Sequence, residues 1–525
     1  MTTQTSPEFG HLRSVLWPVR RNELRLFLPL LLMFFFICLN YNILRVAKDA
    51  LVVTAPCSGA EAIPFIKVWA ILPSALLMTF LFTRLSNRFN YAKIFYIMMG
   101  LFLGFFFLFP FVLYPLSDYL HPVGLADKLS EALPIGFKGL IAVFRNWTFT
   151  LFYVMSELWS THIMTVLFWG FANEIMSVGR AKRFYTLLMI GGNIAGALAG
   201  QMVASFSTWG NLWGESSGRE VWGCSLTLLC SFIVLCGLAT IGTFHWFQKH
   251  SLERVSVLEG IQLKNKAPSE IKMGMRNNFK YLAKSKYLLC IAVIVLTYNI
   301  CINLTEVVWK DQLRNIYSNP NDFNAYMGKV LTGIGILATL IALASSGVIQ
   351  KARWTFNAMI SPMIMLVTGI GFFCFLLFKD TNFLGALTML FGWTPLAVGV
   401  FFGSVQNCLA RASKYSVFDT TKELAFIPLG KESKLKGKAA IDGVGSRLGK
   451  SGGAVIYQGL LMVLGTVACS IPYVAVILLF VIGAWIWAVK SLGKQFTELT
   501  QKGTALPEPV LTAEAPPLSQ QPVQS

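Results

Sequence analysis

The stretch "GSRLGKSGG", Gly445 to Gly453, carries residue types that cradle phosphates. A P-loop reads G-x-x-x-x-G-K-[ST], with backbone N–H groups and a lysine facing the phosphates. Gly449, Lys450 and Ser451 supply its last three letters, but the first glycine belongs at Val444, and Gly443 and Gly445 miss by one. Nucleotide hydrolysis would also need a soluble domain with an acidic residue for magnesium. No polar stretch of this chain is long enough to form one. The glycines have a second reading. Gly445, Gly449 and Gly453 share one helix face, as do Gly192, Gly196 and Gly200. Small residues at this spacing let helix backbones approach closely in a membrane and slide. Arg447 and Lys450 fall near the cytoplasmic end, where they either guide an anion inward or snorkel to headgroups.

A second group of residues stands out because of what surrounds it. A charged side chain at bilayer depth costs about 2.5–3.5 kcal/mol, so it marks function by default. Arg45 and Lys48 end an apolar run, three apart and hence on one helix face. Glu157 sits mid-run in "LFYVMSELWSTHIM", with no cation beside it in sequence. Glu306 lies in "INLTEVVWKDQL", with Asn303 one turn earlier. Lys310, one turn later, offers an ordinary i,i+4 pair as the plainer reading. Lys422 lies in "KYSVFDTTKELAFIPL", a long aromatic segment between two runs. Several cations at depth suit an anionic substrate, with lysine as a point charge and arginine as a fork for phosphate. Tyr41, Tyr153 and Trp159 could stack on a base or sugar.

The elements that must position these residues are membrane helices. Of the 525 residues, 55% are hydrophobic and 13% charged. An ordinary soluble domain is about a quarter charged. Apolar runs of spanning length fall at 26–48, 63–83, 93–116, 144–176, 184–206 and 222–247, then at 288–309, 326–349, 355–378, 383–410, 438–465 and 470–490. Alternate loops are basic: Arg13 to Arg25, Arg84 to Lys93, Arg180 to Arg183 and Lys351 to Arg353. The intervening ones are mixed or acidic, as at Asp118 to Glu131. Basic loops face the cytoplasm, so both termini are expected there and the number of spans is even. The net charge of +19 then belongs to membrane topology, and no nucleic-acid partner is expected. Most of the ten cysteines sit in apolar runs, with no CxxC, and read as small apolar fillers. No cleavable leader is expected, because the first apolar run is too long for one.

The chain divides into a cytoplasmic segment 1–25, a six-helix half 26–248, a basic cytoplasmic linker 249–287, a second half 288–492 and a Pro-rich disordered tail 493–525. Tyr41-Asn42-Ile43 recurs as Tyr298-Asn299-Ile300, and Lys48-Asp49 as Lys310-Asp311. With the glycine repeat in runs five and eleven, this predicts an all-α fold of twelve spans in two pseudo-repeated halves. Such carriers are major-facilitator-like and bind substrate near the midplane.

Five long stretches make the chain resemble one family: "NYNILRVAKDALVVTA", "ELWSTHIMTVLFWGFANE", "INLTEVVWKDQL", "KYSVFDTTKELAFIPL" and "KLKGKAAIDGVGSRLGKSGG". They resemble the ATP/ADP translocases of obligate intracellular bacteria and plastids, from about Phe9 to Gln495. The resemblance implies a twelve-helix carrier that imports ATP in exchange for ADP. In some members it implies proton-coupled transport or exchange of other nucleotides. It also implies transport roles at the positions that fall here on Lys48, Glu157, Glu306 and Lys422. The expected partners are ATP, ADP or other nucleotides (GTP, UTP, CTP) and the lipid bilayer of a bacterial inner membrane. No cofactor, no metal and no obligate protein partner are expected, and no enzymatic activity. A lipid-binding or sensor scaffold, suggested by the basic linker, leaves the buried charges unexplained.

Overall fold

The computed structural model describes residues 19–176, 178–217, 220–252, 285–351, 353–378, 392–429, 437, 441 and 446–502. Among them there are helices and no strand. The long helices are numbered in chain order. The first half holds α1 (Leu24–Val53), α2 (Ala62–Ser86), α3 (Tyr91–Leu113), α4 (Trp147–Ile175), α5 (Val178–Ser217) and α6 (Val221–His250). The second holds α7 (Lys286–Ile316), α8 (Pro320–Lys351), α9 (Trp354–Leu377), α10 (Pro395–Ser413), α11 (Ser446–Leu464) and α12 (Val467–Lys502). They correspond to the twelve apolar runs. Ten are long and apolar enough to cross a membrane. The two others fall below that measure: α10 carries Gln406, Asn407 and Arg411, and the apolar part of α11 is Ser451–Leu464. Most of the expected linker and tail, with Gly445 and the side chains of Arg447 and Lys450, lies outside the described residues.

Helix starts follow local chemistry. Asn90 accepts from the Lys93 amide at 3.1 Å and opens α3. Thr394 does the same for α10 at 3.2 Å from Ala397 N. These side chains satisfy amides that a helix leaves without partners. What lies outward is apolar: Leu72, Leu76, Leu77 and Phe80 of α2 are 45–69% exposed. In water such a stripe would be a liability; lipid tails accept it.

The two halves repeat one packing scheme. α1 packs on α4, α5 and α6, and α7 packs on α10, α11 and α12. The glycines mark the equivalent contacts. A Cβ at Gly192 would meet Phe34 at 3.0 Å, and one at Gly196 would meet Asn42 at 3.5 Å, both on α1. Gly449 and Gly453 face Asn299 and Asn303 of α7 at 2.9 and 3.1 Å. Gly200 turns to the other half: its added Cβ would lie 2.4 Å from the Gly328 carbonyl oxygen on α8.

Among the described residues the halves meet chiefly along α5 against α8, with further contact of α1 against α8 and of α2 against α11. Asn321 and Asn324 of α8 add hydrogen bonds to Asn211 (2.6 Å) and Ser207 (3.0 Å) of α5. Between α3 and α4 the chain forms short helices, among them Val123–Ala132 and Lys138–Arg145. This segment reaches the other half, with Gly136 against the Met462 backbone of α11. The most enclosed spans are α1, α4 and α7, with 61%, 61% and 78% of their apolar windows buried. These helices carry Arg45, Lys48, Glu157 and Glu306 of the charges singled out in the sequence.

Candidate substrate site between the two halves

The last turns of α1 carry Tyr41, Arg45, Lys48 and Asp49. Helical spacing stacks Tyr41, Arg45 and Asp49 on one face, with Lys48 beside them. Lys48 donates to the Glu157 carboxylate of α4. Its ammonium also lies 3.8 Å from the centre of the Tyr153 ring, one turn before Glu157. Lys48 therefore has both an anion and a π face as partners inside one half.

The other acid, Glu306, sits on α7. Lys310 Nζ lies 2.8 Å from Glu306 Oε1 one turn away, and 2.6 Å from Asp49 Oδ2 across the half boundary. Arg411 Nη2 of α10 reaches the same Glu306 oxygen at 2.9 Å. Both side chains of the Asp49–Lys310 pair are 2% exposed. The simple i,i+4 pair is thus present, but as one link of a chain running Asp49, Lys310, Glu306, Arg411. Charges this deep persist only when paired and hydrogen-bonded.

Beside the chain lies a cavity whose walls include Arg45, Glu306, Trp309, Asn407 and Arg411, with Met327 and Leu331 of α8 as the apolar side. Trp309 is fixed there by hydrogen bonds to Val400 O (3.3 Å) and Ser404 Oγ (3.2 Å). Only glycine at 403 admits its ring, because a Cβ would fall 2.4 Å from Trp309 Cδ1. Asn303 is buried; its Nδ2 donates to Asn299 O at 2.7 Å and its Oδ1 accepts from Lys67 of α2. Tyr41 is half-buried on α1, one turn before Arg45. Lys422 belongs to another neighbourhood. Its ammonium is 3.6 Å from Glu423, on the short helix Asp419–Ala425. That helix is held under α9 and α7 by Trp354 Nε1 donating to Thr421 O (2.9 Å) and Tyr287 OH to Ala425 O (2.7 Å).

Three of the helices at the site change pitch where they meet it. α2 contains the π-helical segment Ile66–Ile71, which holds Lys67. α4 turns π-helical over Trp159–Trp169, just after Glu157. α10 runs into the π segment Lys414–Phe418 just after Arg411. π turns are rare and concentrate at functional sites.

Sequence reasoning missed Asp49, Lys67 and Arg411 as members of the site, and took Lys310 only as the ordinary partner of Glu306. Lys67 and Arg411 stand near the ends of their apolar runs, where a cation reads as a snorkelling flank. Asp49 and Lys310 did leave a signal, the recurrence of Lys-Asp in the two halves.

A basic, ion-paired cavity between pseudo-repeated halves suits a carrier of an anion, and the comparisons name the kind. The family model "TLC ATP/ADP transporter" matches residues 2–496. The chain belongs to the TLC ATP/ADP transporter family. It is 45% identical over 505 residues to "ADP,ATP carrier protein 1" of Chlamydia pneumoniae, covering 94% of this chain and 96% of that one. It is 43% identical over 476 residues to "ADP,ATP carrier protein 1, chloroplastic" of Arabidopsis thaliana, covering 91% and 74%. Among solved structures it resembles the crystal structure of a bacterial homologue of the iron transporter ferroportin in the inward-facing state. The TM-score is 0.50 and the identity 14%, over 94% of this chain and 100% of that one. At that identity the likeness speaks for the fold alone. The TLC family is one of transporters, and this member is a multi-pass membrane protein.

Proposed function

We propose that this chain imports host ATP in exchange for ADP across a bacterial cytoplasmic membrane, by alternating access between its two halves. The reading has twelve crossings, both termini and the segment 249–287 in the cytoplasm, and halves at 26–248 and 288–492. The named activities of the Chlamydia and Arabidopsis relatives support the substrate pair. The observation that carries the mechanism is the ion-pair chain that joins the halves beside the cavity.

In this mechanism Arg45 and Lys48 supply positive charge to the phosphates at the cavity, and Lys422, on the separate helix Asp419–Ala425, supplies it elsewhere along the path. Glu157 and Glu306 hold cations while the site is empty and yield them as nucleotide enters. Parting the halves separates Asp49 from Lys310. Leaving a buried charge without its partner costs about 3–5 kcal/mol, so the empty carrier reorients slowly. A nucleotide brings its own negative charge and offsets that cost. The outcome is exchange in place of net flux.

The test is uptake of labelled ATP into proteoliposomes with and without internal ADP. Exchange predicts uptake that requires internal nucleotide and survives an uncoupler. Uptake independent of internal nucleotide and abolished by the uncoupler would establish proton symport instead. A competition panel of ADP, GTP, UTP and CTP then fixes the selectivity.

A further inference from the structure

We infer that Lys67 of α2 is a phosphate-binding residue of the translocation site, placed to hold the outer phosphates of a nucleotide di- or triphosphate. The inference rests on the ATP/ADP reading of the site.

Lys67 has no place in that mechanism so far, and its environment is unusual. It lies in α2, a helix whose other side is a stripe of lipid-facing leucines and phenylalanine. Yet its side chain turns inward, is half-buried, and donates to Asn303 Oδ1 on α7 in the opposite half. A snorkelling lysine would run to the headgroups; this one runs to a residue 7% exposed. The amide oxygen of Asn303 accepts a hydrogen bond but brings no charge.

Charge accounting around the cavity gives Lys67 its role. The cations there are Arg45, Lys48, Lys67, Lys310 and Arg411, and the carboxylates are Asp49, Glu157 and Glu306. Lys48 is matched by Glu157. Lys310 and Arg411 are matched by Asp49 and Glu306. Among the described residues, Arg45 and Lys67 are the cations of this group with no carboxylate within ion-pair distance. Arg45 lines the cavity, and Lys67 meets α7 at Asn303, one turn before Glu306, which lines it too. The surplus is positive, enclosed, and shared by both halves, through Arg45 on α1 and through Lys67 reaching α7. A polyanion satisfies it, and phosphate groups are the anions for which a lysine point charge and an arginine fork are suited together. Lys67 stands in the π segment Ile66–Ile71, after the buried first turn of α2 and before its exposed apolar stripe.

The experiment is competition against labelled ATP binding by the purified full chain, with ATP, ADP and AMP as competitors, for wild type, Lys67→Ala, Lys67→Gln and Lys67→Arg. Lys67→Gln keeps a stem and a donor for Asn303 without the charge, and it reports on the inference should Lys67→Ala fail to fold. We expect both neutral variants to lose affinity for ATP and ADP about tenfold or more and for AMP by less than threefold. Lys67→Arg is expected to recover most of the loss. Wild-type affinity for ATP in a folded neutral variant would overturn the assignment. An equal loss for all three competitors would also overturn it, since that marks a packing role. Failure of the wild-type chain to bind ATP would instead refute the ATP/ADP reading.

Discussion

Replacing Asp49 with asparagine removes one charge from the tie between the halves while keeping its volume. In the structure Lys310 bonds both Asp49 across the boundary and Glu306 on its own helix. Breaking a buried pair outright costs about 3–5 kcal/mol. Lys310 retains Glu306 when the halves part, so roughly half of that, about 2 kcal/mol, is the part that Asp49 adds to the barrier for the empty carrier. At about 1.4 kcal/mol per decade this is roughly a 30-fold change in rate. The assay is labelled ATP uptake by proteoliposomes, with saturating internal ADP and with none. Asp49→Asn should raise net uptake relative to exchange by about 30-fold, turning a strict exchanger toward a uniporter. The purified variant should keep a single cooperative melt, because Glu306 still neutralises Lys310. An exchange-to-net ratio equal to wild type, in a protein that melts as wild type does, would refute the reasoning that this pair restrains the empty carrier.

Glu306→Gln leaves Lys310 with Asp49 alone and takes from Arg411 its carboxylate partner. It should destabilise the purified chain by about 3 kcal/mol and abolish exchange, as read by a thermal melt and by counterflow. Gly200→Ala forces a Cβ to within 2.4 Å of the Gly328 carbonyl oxygen, so it should cost about 1–3 kcal/mol and slow exchange. Gly100→Ala, with nothing within 4 Å, should be neutral or slightly stabilising in the same melt. Glu23, just before α1, is partly desolvated, which raises its pKa. The hydrogen bond and charge of Arg183 and the Arg20 amide outweigh that and hold the carboxyl below its usual value. A carboxyl lowered on folding contributes stability that is present above its unfolded pKa and lost as pH falls through the folded one. The melting difference between wild type and Glu23→Gln should therefore be full at pH 7 and shrink as pH drops below about 4.5.

The charges that the sequence revealed were those inside an apolar run. Glu157 lies inside an apolar run with no cation within a turn on either side, and no surface role explains it. Glu306 and Lys48 were legible for the same reason. Arg411 and Lys67 were not, because position along a run does not say which way a side chain points. Lys67 lies near the start of its span, yet it turns inward to Asn303. The Asp49–Lys310 pair joins residues 261 apart in sequence, and only the packing of α1 beside α7 brings them together. The repeated Lys-Asp pairs suggested two related halves, but not that the lysine of one would bond the aspartate of the other. The glycine spacing in runs five and eleven was visible, whereas its division of labour was not. Gly192 and Gly196 face their own half, while Gly200 faces the other.

The π segments at the site have a practical consequence for anyone mapping this carrier by mutation. An α-helix advances about 100° per residue. A turn that closes five residues on instead of four shifts the phase of every side chain beyond it. A single helical wheel drawn through α2 or α4 will therefore be correct on one side of Ile66–Ile71 or Trp159–Trp169 and rotated on the other. Cysteine scanning with a water-soluble thiol reagent should show this directly: the labelled stripe along α4 breaks near Trp159 and resumes around the helix, displaced from the line drawn through Tyr153 and Glu157.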